Sequence, residues 1–166
     1  MYTTIPDVRA ALYDTILPAA LATLPSTVTA NGNTINLRIP VLYYGLPGTN
    51  NPPDAWIGIA GSTSESIPVA VLPQSAPRFQ DEEYDMTIRV WYHIGDTDAN
   101  AQRVATESAY AVYRAIVAQL RANTGWANAL TSPYQAFISS LRDQEFALAE
   151  GRAIGLEITL HIKTRV

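Results

Sequence analysis

The sequence predicts an α+β fold: a mostly antiparallel sheet with an N-terminal helix and one long helix packed on one face. Three observations lead there. Apolar residues recur at helical spacing near the N-terminus and again over about 98–123. Between these stretches, and from Phe137 to the end, the period is two, which marks half-buried strands. The strand connections are dominated by hairpin signals, with a single helix interrupting the strand run.

In chain order, Val8, Leu12, Ile16, Ala20 and Leu24 line one face of the first helix. Thr4 with Asp7 three positions on reads as a capping-box-like start, and Pro18 predicts a kink or break near Ile16 to Pro18. From Ser26 to Val41 the pattern is that of a hairpin, with Asn31-Gly32 as the turn and Ile35, Leu37, Ile39 and Val41 alternating with polar residues. Ala55 to Ala60 is a short apolar strand, preceded by a loop rich in Gly, Pro and Asn. The stretch 61–81, about twenty residues of small, polar and Pro residues around Val69 to Leu72, reads as a long loop or contact arm.

Tyr84 to Ile94 alternates cleanly, Tyr84, Met86, Ile88, Val90, Tyr92 and Ile94 forming the core side. Gly95 to Asp98 then turns into the long helix, striped by Ala105, Ala109, Val112, Ile116 and Leu120. In the last segment Phe146, Leu148, Ile154, Leu156, Ile158, Leu160 and Ile162 share one parity, with Glu150-Gly151 as the turn between two strands.

A chain of 166 residues, 48% hydrophobic, is expected to form one domain over 1–166 and can bury roughly 70% of its unfolded surface without staples. It has no cysteine, which removes disulfides, thiolate zinc sites and cysteine nucleophiles. No apolar run approaches the ~20 residues of a spanning helix, so no membrane partner is expected. The net charge of -4 argues against a wholly basic nucleic-acid binder. Only 16% of residues are charged, against roughly 25% in ordinary soluble domains, and lysine occurs once, at Lys163. A surface poor in charge and biased to Arg is cheaper to desolvate, as a subunit of an assembly requires.

The chemistry-bearing patterns are weak. Asp96, Asp98, Asn100 and Glu107 fall at calcium-loop spacing, but Ala101 stands where the loop needs Gly, so these acids read as a helix cap. The run Asp81, Glu82, Glu83 and Asp85 reads as a solvated strand entry, since neighbours on a strand diverge. Gly61-Ser62-Thr63-Ser64 lacks the nucleophile elbow, and no phosphate-binding glycine loop is present, so no enzyme and no cofactor is expected. His93 and His161 lack a third metal ligand. The remaining candidate is the strand face opposite the core, where Thr87, Arg89, Trp91 and His93 are joined by Thr159, His161, Lys163 and Arg165. This face reads as basic with one tryptophan. It is a subunit interface anchored by Trp91, a surface for nucleic-acid phosphates, or an ordinary solvated sheet face.

The run Ile88-Arg89-Val90-Trp91-Tyr92-His93-Ile94-Gly95-Asp96-Thr97-Asp98, followed by an Ala-rich helix, resembles the tail terminator (tail completion, minor tail protein U-like) proteins of long-tailed bacteriophages. So do Tyr43-Tyr44-Gly45-Leu46-Pro47 and Pro53-Asp54-Ala55-Trp56-Ile57-Gly58-Ile59, and the closing Gly155 to Leu160 strand fits the same plan. The resemblance covers nearly the whole chain, through patterns that carry no chemistry. It implies a virion protein, assembled in the host cytoplasm, that forms a homo-oligomeric, hexameric ring at the head-proximal end of the tail. Its expected partners are the tail tube protein and the head-tail connector protein, with DNA passing through the lumen. A head-to-tail connector or stopper protein is the alternative, and a nucleic-acid module using Arg89, Lys163 and Arg165 is the rival from another class.

Overall fold

The computed structural model describes residues 3–64, 81–130 and 134–165, and of residues 63, 64, 81 and 165 only the backbone. Helix α1 (Ile5–Ala11) runs through a π-helical turn (Leu12–Ile16) into α2 (Leu17–Ala22). There follow β1 (Thr27–Ala30), β2 (Asn33–Asn36), β3 (Val41–Tyr43), β4 (Ala55–Ser64), β5 (Asp81–Ile94), α3 (Ala99–Ala122), β6 (Tyr134–Leu148) and β7 (Gly151–Arg165). Five strands make one sheet in the order β3-β4-β5-β7-β6, antiparallel throughout except for the parallel β3–β4 pair. The α+β fold read from the sequence is therefore the one observed.

Pro18 neither breaks nor sharply ends the first helix. In a regular helix its ring would press on the carbonyl four residues back and its missing N–H would leave that acceptor unused. The chain instead widens into the π turn, where the Leu17 N–H donates to the Leu12 carbonyl, and the helix resumes. The apolar face stays continuous, with Val8, Leu12, Ile16 and Leu17 fully buried.

The start of α1 corrects the capping-box expectation. Thr4 has helical φ and ψ and makes no side-chain cap, because a different acceptor has captured it. Its N–H and hydroxyl donate to Glu82 Oε2 at 2.8 and 2.7 Å, and the hydroxyl lies 3.0 Å from the Tyr84 hydroxyl. Thr3 Oγ1 donates to Glu82 Oε1. Glu82 is thus buried, at 3% exposure, where a solvated strand entry was expected. The carboxylate is tolerated there because three donors saturate it.

The Asn31-Gly32 turn forms with both residues at positive φ, 52° and 76°, the type I′ geometry that a two-residue hairpin prefers. The hairpin is shorter than expected, since β2 ends at Asn36 and the chain crosses to the main sheet. Pro40 interrupts the ladder, and Val41 pairs with Trp56 instead. In the long stretch 61–81, residues 61–64 and 81 belong to β4 and β5, which lengthens both strands; residues 65–80 lie outside the described residues.

All three helical pieces cover one face of the sheet. From β5 that face takes Tyr84, Met86, Ile88, Val90 and Tyr92, and from β7 Ile154, Leu156, Ile158, Leu160 and Ile162, none more than 1% exposed. Asp98 caps α3 as expected, its carboxylate accepting from the Ala101 N–H at 2.6 Å. One parity expectation fails. The two-residue turn pairs Leu148 with Gly151 and Phe146 with Ala153, so Phe146 and Leu148 project on the opposite face from Ile154 and Leu156, while a bulge between Ile138 and Ser140 brings the start of β6 back into the parity of β7.

The Glu82 clamp gives a first test. Glu82→Ala leaves the Thr4 amide buried without its acceptor and the Thr4 hydroxyl with Tyr84 alone, and should cost about 3 kcal/mol in denaturant unfolding. Glu82→Gln, which keeps one carbonyl acceptor, should cost about half as much. A loss below ~0.5 kcal/mol for the alanine variant would show that the clamp contributes nothing.

Candidate functional site

The face of the sheet away from the helices holds the sequence-predicted candidates. Trp91 on β5 stands directly across from Trp56 on β4, their rings stacked at 6.5 Å and 18°. On its other side Trp91 meets Phe146 of β6 at 5.2 Å and 48°. This contact jumps a strand, across Gly155. Gly155 is the β7 partner of Trp91, and the two rings close above its backbone. A Cβ there would already touch both rings at 3.6 Å. The result is a groove of about 530 Å³ lined by Trp56, Trp91, Phe146, Arg89, Arg142 and Glu157. The Trp56 Nε1 donor is buried beside it without a hydrogen-bond partner among the described residues. Each aromatic contact is worth about 1 kcal/mol beyond burial.

Gly58, next on the same face of β4, is covered. A Cβ at this position would sit 2.4 Å from the Gly45 carbonyl oxygen, so only glycine lets the loop after β3 lie down there. That loop is held from below by Arg9 of α1. Its guanidinium donates to the Tyr44 and Ile59 carbonyls at 3.1 and 2.8 Å and lies 4.9 Å from the Tyr44 ring centre. Among the described residues, the loop after β3 therefore rests beside Trp91 and not over it, at Gly58, two residues along β4 from Trp56.

The face is not basic. Arg89 pairs with Glu157 at 3.2 Å, and Lys163 with Glu83 at 3.2 Å. His161 bridges Asp85 through Nδ1 at 2.8 Å and Glu83 through Nε2 at 3.3 Å. The three acids share the parity of the bases, a signal already present in the alternation that singled out the bases alone. Half-exposed pairs of this kind add ~0.5 kcal/mol each, but together they neutralise the surface. The side chain of Arg165 lies outside the described residues.

The two histidines stand at opposite ends of the β5–β7 ladder and do not meet. His93 Nδ1 is 3.0 Å from Asp54 Oδ1, and Asp54 also takes Arg38. The hydrogen bond from His93, then that from Arg38, holds the Asp54 carboxyl below its ordinary value, against a smaller opposing effect of burial. Among the described residues, no group of three or more His, Asp or Glu is arranged to hold a metal ion. No helix among them is long and apolar enough to cross a membrane. Sequence reasoning missed Trp56, Phe146 and Gly155 as members of the site. Phe146 was hidden by the two-residue turn, across which paired residues differ in parity, and Trp56 could have been found from its period-two place in β4.

The chain matches no protein-family model, and a comparison with curated proteins gives no significant match.

The Asp54 pairing carries a pH signature. A depressed carboxyl stabilises the fold fully above its ordinary value of 3.8 and loses that contribution as pH falls through the lower folded value. Denaturant unfolding over an acid pH series should therefore show a smaller acid loss for Asp54→Asn than for the wild type. Parallel curves would show that the pairing is idle.

Proposed function

We propose that this chain is a structural virion protein that forms a ring capping the head-proximal end of a phage tail tube, ending tube polymerisation and joining the tail to the head connector. The observation that carries this reading is the bare sheet face, where three aromatic rings form an open groove while Arg89, His161 and Lys163 are each paired with an acid. A surface of this kind suits a protein partner, which buries aromatic anchors and needs few uncompensated charges. It suits nucleic acid poorly, since phosphate binding draws on unpaired Lys and Arg. The site offers no nucleophile paired with a base, so an assembly role is favoured over catalysis.

The resemblance supports the same reading. Its longest run, Ile88 to Asp98, forms the end of β5, carries Trp91 and delivers the cap of α3. Its second run, Pro53 to Ile59, brings Trp56 beside it.

Light scattering over a concentration series, alone and with purified tail tubes, tests the proposal. A species of about six times 18.1 kDa with a central hole in negative-stain images, or a cap of that size at one end of each tube, is the expected result. A chain that stays monomeric alone and leaves tubes uncapped would overturn it. Trp91→Ala should weaken assembly by about 2 kcal/mol, roughly thirtyfold in concentration, if Trp91 anchors a contact. Unchanged assembly of the folded variant would remove Trp91 from the interface.

A further inference from the structure

Among the described residues, the main sheet ends in two edges without a further strand, β3 on one side and β6 on the other. The large hydrophobic side chains exposed among the described residues are Ile39, Val41, Tyr44, Leu46 and Phe137. All five sit at those edges: four within or flanking β3, and Phe137 on β6. Exposed apolar side chains scattered over a surface need no explanation, but confinement to the two rows of unsatisfied backbone groups does.

The registers show how the two edges relate. Val41 pairs with Trp56 and so projects on the bare face, and Phe137 pairs with His161 and projects on the same face. β3 runs parallel to β4, and each further step across the sheet reverses direction, so β3 is antiparallel to β6. A second copy set beside the first, with its sheet in continuation, brings its β3 antiparallel to β6 with Val41 and Phe137 on one face; the ladders place Val41 level with Gly155 and Gln144, so the second copy is also displaced along the strands by the span from Gly155 to His161 to bring Val41 beside Phe137. Both conditions for a cross-strand apolar pair are then met without reorienting either element.

We propose that a second copy of this chain docks head to tail through these edges, Val41–Tyr43 of one copy adding to the first half of β6 in the next. Phe137 packs against the partner's Ile39 and Val41 on the bare face. On the helix face the partner's Leu42 comes beside Ala136 and Ile138, which border a groove of about 320 Å³ that also takes in Tyr113, Val117, Leu120 and Trp126.

Charge confines the contact to the first half of β6. Tyr134–Ile138 carries none, nor does Ile39–Tyr43, so no like charges face each other. Beyond the bulge, Arg142, Asp143 and Glu145 are exposed on β6 and oppose strand addition there. Pro40 has no N–H and confines the ladder to three residues, so side-chain burial carries most of the contact. Pairing of β6 with β6 of another copy would leave Ile39 and Val41 bare, whereas the head-to-tail contact covers both edges with one interface. Such a contact repeats, and it closes into a ring when the rotation allows. The inference rests on the ring reading for that closure alone.

Two charge insertions test it: Val41→Asp disables the β3 edge and Phe137→Asp the β6 edge, both at half-exposed positions. Each variant alone should be an 18.1 kDa monomer where the wild type assembles. An equimolar mixture should give a dimer of twice that mass and nothing larger, because Phe137→Asp keeps a working β3 and Val41→Asp a working β6. The milder pair Val41→Thr and Phe137→Ser, showing the same complementation at reduced strength, covers a folding defect in the first pair. Assembly of Val41→Asp like the wild type with Phe137→Asp monomeric would mean β6–β6 pairing and overturn the proposal. So would a mixture without the dimer, or a wild type monomeric at every concentration. Rings that survive both variants would keep the ring reading and overturn this contact, and open filaments that both variants abolish would do the reverse.

Discussion

The arrangement depends on the strict alternation of β5. Its helix-side residues from Tyr84 to Tyr92 are fully covered, and its alternate residues supply Glu83, Asp85, Arg89, Trp91 and His93 to the other face. Because β5 sits at the centre of the sheet, between β4 and β7, its register sets both neighbours. A slip of one residue would bury Arg89 and Asp85 under α3 and put Ile88 and Met86 into water, a cost the small net stability of a domain could not absorb. The groove therefore inherits its precision from the core. Trp91 faces outward because Val90 and Tyr92 are held inward.

Covering one face firmly is what leaves the other bare, and the N-terminal helix is fixed by polar ties as well as by packing. Glu82 and Arg9 make complementary links: the first carries a β5 carboxylate to the start of α1, the second an α1 guanidinium to carbonyls of β4 and the loop beyond β3. Each buried or half-buried charge is met by several hydrogen bonds, so desolvation is compensated at both ends. Without the π turn ahead of Pro18 the helix would bend away, and Leu12, Ile16 and Leu17 would not share one surface. A widened turn costs less than the loss of that surface.

Much of the fold was legible because periodicity reports burial directly. The alternation in β5 and β7, the stripe of α3, the Asn31-Gly32 turn and the Asp98 cap are local signals, each decided within a few residues. Long-range partners decided what was missed. Thr4 looked like a cap until an acceptor 78 positions away took its hydroxyl. A parity count carried through the two-residue turn at Ala149-Glu150 puts Phe146 on the wrong face, because residues paired across that turn differ in parity, which is why the aromatic groove read as a lone tryptophan. The basic face was misread by counting one sign of charge, although Glu83, Asp85 and Glu157 alternate in step with the bases.

That misreading bears on function. In a chain with 16% charged residues, the bare face uses its charges on one another and leaves its rings uncommitted. The edges go further, since Ile39, Val41 and Phe137 stand exposed where β-proteins ordinarily place lysine or a covering loop. Protection appears only on the second half of β6, at Arg142, Asp143 and Glu145. An edge guarded along part of its length and apolar along the rest restricts strand addition to the apolar part. Indiscriminate edge pairing leads to aggregation, whereas a restricted stretch with two unlike edges favours a defined contact that repeats from copy to copy.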